Sequence, residues 1–107
     1  MALDRSVLER EFQDSFIPYV QHRGWRVIHI RPARSDKGWR TPVQGNGKGF
    51  PDNLLLRGDR SLVAELKRVG EKPDADQKAW LAAFEAAGWE VYVWTPADWA
   101  EIEAVTA

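Results

Sequence analysis

Asp52 and the tripeptide Glu65-Leu66-Lys67 are the residues whose types and spacing could do chemistry. Two carboxylates and a lysine can hold a divalent cation and turn water against a phosphodiester, provided the chain between them folds back on itself. Leu54-Leu55-Leu56 and Leu62-Val63-Ala64 are short apolar runs on either side of Arg57-Gly58-Asp59-Arg60. Gly-Asp is a favoured two-residue hairpin turn. With Gly58 and Asp59 as the turn, residue 57 pairs with 60 and 56 with 61, which sets Asp52 across from Glu65. Side chains facing one another across a strand pair stand about 4.5–5.5 Å apart at Cβ. Two carboxylates that close repel, and a divalent cation between them reverses the sign. Lys67, two residues beyond Glu65, falls on the same strand face. A plain charged hairpin with three solvated side chains has the same pattern, so the triplet alone leaves both readings open.

The elements that must position these residues are legible to differing degrees. Leu8, Phe12, Phe16, Tyr19 and Val20 recur at helical spacing, which predicts a helix from Asp4 to about Arg23, stopped by Gly24. Pro18 lies inside it and should kink or shorten it, because proline removes a backbone donor. Trp25 to Ile30 alternates as a strand. Arg31 to Phe50 holds Pro32, Gly38, Pro42, Gly45, Gly47 and Gly49 and reads as a long basic loop. After the hairpin, Asp74 and Gln77 have capping-box spacing. Trp80, Leu81 and Phe84 form the buried stripe of the helix that follows, and Gly88 ends it. Trp89 to Trp94 alternates again, and Thr95, Pro96 and Asp98 open a last helix. The fold class is α/β, a mixed central sheet flanked by helices in the order α-β-β-β-α-β-α.

The chain of 107 residues has room for one domain, residues 1–107. At 44% hydrophobic and 29% charged it reads as soluble and globular. No apolar stretch approaches a membrane span, and Met1 to Arg10 lacks the apolar core of a secretory signal. There is no cysteine, so any metal must be held by oxygen or imidazole, and a reducing cytoplasm is the expected location. The net charge is -1, but it is polarised. Residues 21–50 carry seven basic side chains against one acid, a balance of +6, while 71–107 carry two against eight, a balance of -6. Such polarity suits a cationic side that meets phosphates and an acidic side that faces away. A solvated arginine-rich loop is the plainer alternative.

Gly49-Phe50-Pro51-Asp52, Glu65-Leu66-Lys67, Gln77 with Trp80-Leu81, and Glu9 within Glu9-Arg10-Glu11-Phe12-Gln13 carry a family likeness. The chain resembles the PD-(D/E)xK nuclease superfamily, and within it the small stand-alone virus-type replication-repair nucleases (VRR-NUC family). The likeness runs from Glu9 to about Ile102. It implies a restriction-endonuclease-like PD-(D/E)xK core with Asp52 and Glu65 as metal ligands, helped by the backbone carbonyl of Leu66. Lys67 would then orient or deprotonate the attacking water, Glu9 would complete the metal site, and Gln77 would join the catalytic set. A helix turns about 200° between residues 9 and 11, so one of Glu9 and Glu11 faces the site, and Glu9 is the assignment. A capping role for Gln77 competes with its site role. Hard oxygen ligands suit Mg²⁺ or Mn²⁺.

The expectation is a metal-dependent endonuclease that hydrolyses DNA phosphodiesters, probing branched or Holliday-junction-like substrates in DNA repair, in a bacterial cell or phage-infected host. Paired cuts need paired sites, so a homodimer is expected. A DNA-binding module that keeps the fold without catalysis is the alternative, and a restriction-like defence nuclease is a third. Arg31, Arg34, Lys37, Trp39, Arg40 and Lys48 are the DNA-binding candidates. His29 could touch a phosphate or simply pack in its strand, and His22 suits a helix C-terminus. Arg57-Gly58-Asp59 also spells an integrin-type tripeptide, which the turn itself explains.

Overall fold

The computed structural model describes residues 5–30, 33–35, 38–40 and 45–107, and at 5–8, 33–35 and 38–40 the description is of the backbone. In chain order the elements are helix α1 (Arg5–His22), strands β1 (Arg26–His29), β2 (Ala33–Ser35), β3 (Gly38–Arg40), β4 (Asn53–Arg57) and β5 (Arg60–Leu66), helix α2 (Ala75–Ala86), strand β6 (Glu90–Trp94), a 3₁₀ turn (Pro96–Asp98) and helix α3 (Trp99–Thr106). The main sheet is mixed, ordered β1-β4-β5-β6. The β1/β4 and β4/β5 pairs are antiparallel and β5/β6 is parallel. A parallel pair needs a crossover, and α2 supplies it.

The hairpin forms in the expected register, Asn53 with Ala64 through Arg57 with Arg60. Gly58 has φ +60° and Asp59 is not in the positive region, as a II′ turn requires. Being central, β5 is covered on both faces and buried from Leu62 to Leu66. One face carries Leu55, Leu62, Ala64, Leu66 and Trp94, packed with Phe12, Phe16 and Val20 of α1 and Ile102 of α3. Asn53 is buried on that face too, where it exchanges two hydrogen bonds with the Gln13 amide (2.9 and 3.1 Å). Val63 and Glu65 point to the opposite face.

Two expectations are corrected here. Pro18 does not shorten α1, which runs on to His22. The exposed proline costs one backbone bond, while the fully buried Val20 behind it anchors the last turn. The 31–50 segment is not loop throughout, because β2 and β3 pair as an antiparallel ribbon. Each strand has three residues, too few for alternation to announce them.

α2 has the full capping box of Asp74 and Gln77. Its expected stripe is corrected in part: Leu81 is buried, but Trp80 and Phe84 are only half-buried. Those two join Phe50 and Trp89 in a smaller aromatic cluster, Phe50 meeting Trp80 at 5.0 Å and Phe84 at 5.7 Å, both edge-on. Thr95 caps the turn into α3 by its own capping box with Asp98. Arg57 donates to the carbonyls of Arg23, Thr106 and Ala107 and lies over the Trp25 ring, so the arginine of the Arg-Gly-Asp tripeptide is committed to holding the C-terminus. Among the described residues no helix is long and apolar enough to cross a membrane.

Candidate active site

Continuing the hairpin register one residue past β4 sets Asp52 opposite Glu65, and the side chains interlock. The Asp52 amide donates to Glu65 Oε1 (3.1 Å) and the Leu66 amide donates to Asp52 Oδ2 (3.3 Å). On the other carboxylate oxygen, Glu65 Oε2, the Gln77 side-chain amide donates at 2.9 Å and Lys67 Nζ lies at 3.4 Å. Glu65 is 1% exposed and Lys67 9%. Because N–H and C=O of an extended residue point the same way, the Leu66 carbonyl is directed, with its amide, toward Asp52. The Lys67 amide goes the other way, to Trp94 O at 2.8 Å on β6.

The electrostatics of the pair are unusual for carboxylates. Burial raises the Asp52 carboxyl to about 6, against partial relief from the Leu66 amide and Lys67, and Glu9 pushes it further up. Burial followed by the Asp52 charge raises Glu65 to about 7, with Lys67 and the Asp52 amide opposing. One lysine, two backbone amides and the Gln77 amide leave a deficit of positive charge around the buried Glu65 and half-buried Asp52 carboxylates. The deficit is what a divalent cation would fill, and the donors are the hard oxygens that Mg²⁺ or Mn²⁺ takes.

Of the expected site residues, Asp52, Glu65, Leu66, Lys67 and Gln77 are brought together. Glu9 is half-buried and Glu11 exposed, but Glu9 Oε2 lies 3.9 Å from Arg68 Nε. Among the described residues no three histidine or acidic side chains gather closely enough to hold an ion; Glu9 lies against Arg68 while its charge still acts on Asp52. Arg68 was not legible as a site residue. Its guanidinium is held by Glu71 (2.6 Å), immediately after Lys67. His29 approaches through the backbone, with Nδ1 3.1 Å from the Asp52 carbonyl, which also accepts from the Ile30 amide at 2.7 Å.

The Gly49-Phe50-Pro51 segment explains how Gln77 reaches Glu65. Gly49 has φ +84°, and a Cβ there would stand 2.5 Å from the Asp76 carbonyl carbon, so only glycine lets this loop sit against the start of α2. Phe50 then locks onto Trp80 and Phe84, and Trp80 Nε1 donates to Asn46 O at 2.8 Å. The helix is thereby pinned with its first turn over the acid pair.

In comparisons with protein-family models, with curated proteins and with solved structures, this chain matches none.

Of the basic candidates, Arg34 lies on β2 opposite Trp39, and Arg40 on β3 opposite Ala33. Arg31 and Lys37 lie outside the described residues. Lys48 is highly exposed and 3.5 Å from Asp76. Such an exposed pair contributes little and leaves the lysine able to exchange partners.

Proposed function

We propose that this protein is a metal-dependent deoxyribonuclease with a PD-(D/E)xK core of the VRR-NUC type, hydrolysing phosphodiester bonds in branched or otherwise structured DNA. The observation that carries the reading is the pairing of Asp52 with Glu65 beside Lys67. A folded chain has little reason to bury two adjacent carboxyls and raise both, unless a cation is to replace the proton they retain.

Asp52, Glu65 and the Leu66 carbonyl would hold Mg²⁺ or Mn²⁺. Such an ion would supply Lewis acidity and lower the pKa of the attacking water. Gln77 fixes Glu65 by its outer oxygen, so the carboxylate cannot swing out of the site. Lys67 sits on the rim of the pair, where its ammonium steadies charge developing on the phosphoryl oxygens and orients the water for in-line attack. Glu9 supports the site from α1, through a short reorientation away from Arg68. Two copies acting together would supply the paired cuts that a junction requires.

The deciding experiment incubates the protein with Mg²⁺ or Mn²⁺ and a panel of duplex, nicked, flapped and four-way-junction DNAs. Cleavage products that disappear with chelator support the reading. DNA binding without cleavage of any substrate, with either metal, would make the chain a binding module instead.

A further inference from the structure

A cleft of about 500 Å³ lies between α1, the segment that follows β5 and the start of α3, and Lys67 is the residue it shares with the acid pair. Lys67 and Glu9 both line it, and Lys67 reaches the pair by its 3.4 Å contact with Glu65. Its apolar lining is Phe12, Val69, Pro96 and Trp99, of which Phe12 is buried and Val69 exposed. Trp99 is half-buried and meets Phe12 edge-on at 5.6 Å and Tyr19 edge-on at 5.2 Å, so its ring is a fixed platform. Ser15 and Glu11 add a hydroxyl and a carboxylate to the α1 side. The volume is that of a small-molecule site, and its lining mixes apolar with polar groups.

From this arrangement we infer that the cleft receives an unpaired nucleobase of the DNA strand, the one joined to the phosphate under attack. The inference rests on the nuclease reading and names its substrate class more narrowly. The part of a DNA strand that can reach this cleft from a phosphodiester held at Lys67 is the sugar and base attached to it. A base offers a flat apolar face to Trp99 and a polar edge to Ser15 and Glu11. A base inside a duplex stack cannot reach a wall of this kind, so the nucleotide must be unstacked, which is cheapest where it is already unpaired. Preference for branched or gapped DNA then arises within one subunit, from the state of a single nucleotide.

The test uses the whole chain and 2′-deoxyadenosine 5′-monophosphate, read by amide and indole NMR shifts without metal. Binding should move the Trp99 indole and the amides of Ser15 and Val69. Ser15→Trp and Val69→Glu alter exposed positions, so both variants should fold, and each should weaken the nucleotide about tenfold, the order of one lost stacking contact. In cleavage assays the wild type should prefer an unpaired over a paired nucleotide at the cut. Ser15→Trp and Val69→Glu should both lose that preference. Shifts confined to the acid pair, or a preference unchanged in both variants, would overturn the cleft assignment. A parallel Mg²⁺ titration reads the acid pair separately, and silence at Asp52 and Glu65 there would overturn the nuclease reading whatever the cleft does.

Discussion

Gln77 serves Glu65 and its own helix with opposite ends of one amide. Its Oε1 accepts from the Asp74 amide (2.9 Å) to close the capping box, and its Nε2 donates to Glu65 Oε2 (2.9 Å). A primary amide carries an acceptor oxygen and a donor nitrogen in one planar, uncharged group. The capping and site roles that compete at the level of sequence are therefore simultaneous.

Gln77→Ala should cost about 1 kcal/mol of stability through the cap and weaken metal affinity or turnover about 10–100-fold, as loss of a ligand's supporting partner does. Gln77→Glu should restore the cap but not the metal function, since it brings an acceptor where Glu65 needs a donor. Melting temperature and Mg²⁺ titration together separate the two. Equal metal affinity in all three proteins would show that the contact with Glu65 is incidental.

Stability of the metal-free protein should fall as pH rises from about pH 4 to about pH 7. Asp52 and Glu65 are raised from 3.8 and 4.5 to about 6 and about 7, so across that window the folded state holds protons the unfolded chain has released. Their contribution is fully present below the unfolded values and is lost through the folded ones. The loss is on the order of a few kcal/mol for the pair. Glu71 and Glu90 are shifted down by Arg68 and Arg60, against burial, and their contributions are lost only at more acid pH, so they do not offset it. Urea midpoints across the range measure the slope, and a midpoint that climbs toward neutral pH would contradict the sign.

Asp52→Asn should stabilise the metal-free protein above neutral pH, because it removes one of the two repelling charges. In the wild type Mg²⁺ should raise the melting temperature by mass action, and in Asp52→Asn most of that increment should vanish. An undiminished increment would move the ion to another part of the molecule.

Lys67→Ala should lower kcat by about 10²–10³ while leaving metal and DNA affinity nearly intact, because the ammonium acts chiefly in the transition state. Single-turnover cleavage at saturating DNA is the measurement. Normal turnover with lost DNA binding would make Lys67 a phosphate anchor instead.

DNA affinity should fall with salt at a log-log slope of about -0.9 per contacted duplex phosphate. Replacing Arg34 and Arg40 together by alanine should flatten it by up to about two. The ribbon register puts these positions out of phase, so the single replacements should contribute unequally. A double variant with the parent slope would take the DNA path off this ribbon.

The hairpin was legible because two constraints agree. A two-residue turn fixes the register, and the apolar runs fix which face is buried, so the Asp52–Glu65 pairing follows from counting. The capping boxes of α2 and of the turn into α3 are local and equally readable. What stayed hidden depends on distant packing. Gln13 and Asn53 look like surface amides until α1 is laid on β4, where each satisfies the other in the core. Pro18 looks like a helix end until Val20 is seen to be buried. Gly49 reads as one more loop glycine until Asp76 is brought against it.

The acid pair, its lysine and its glutamine all lie between residues 52 and 77, on one hairpin and the helix that follows it. Contacts so close along the chain form early, since little loop entropy opposes them. The growing nucleus must therefore bring Asp52 and Glu65 together before α1 and α3 have closed over the other face of the sheet. At neutral pH that repulsion weighs on the folding barrier itself, so a divalent ion or a lower pH should act as a folding accelerant, shortening refolding times while leaving unfolding nearly unchanged.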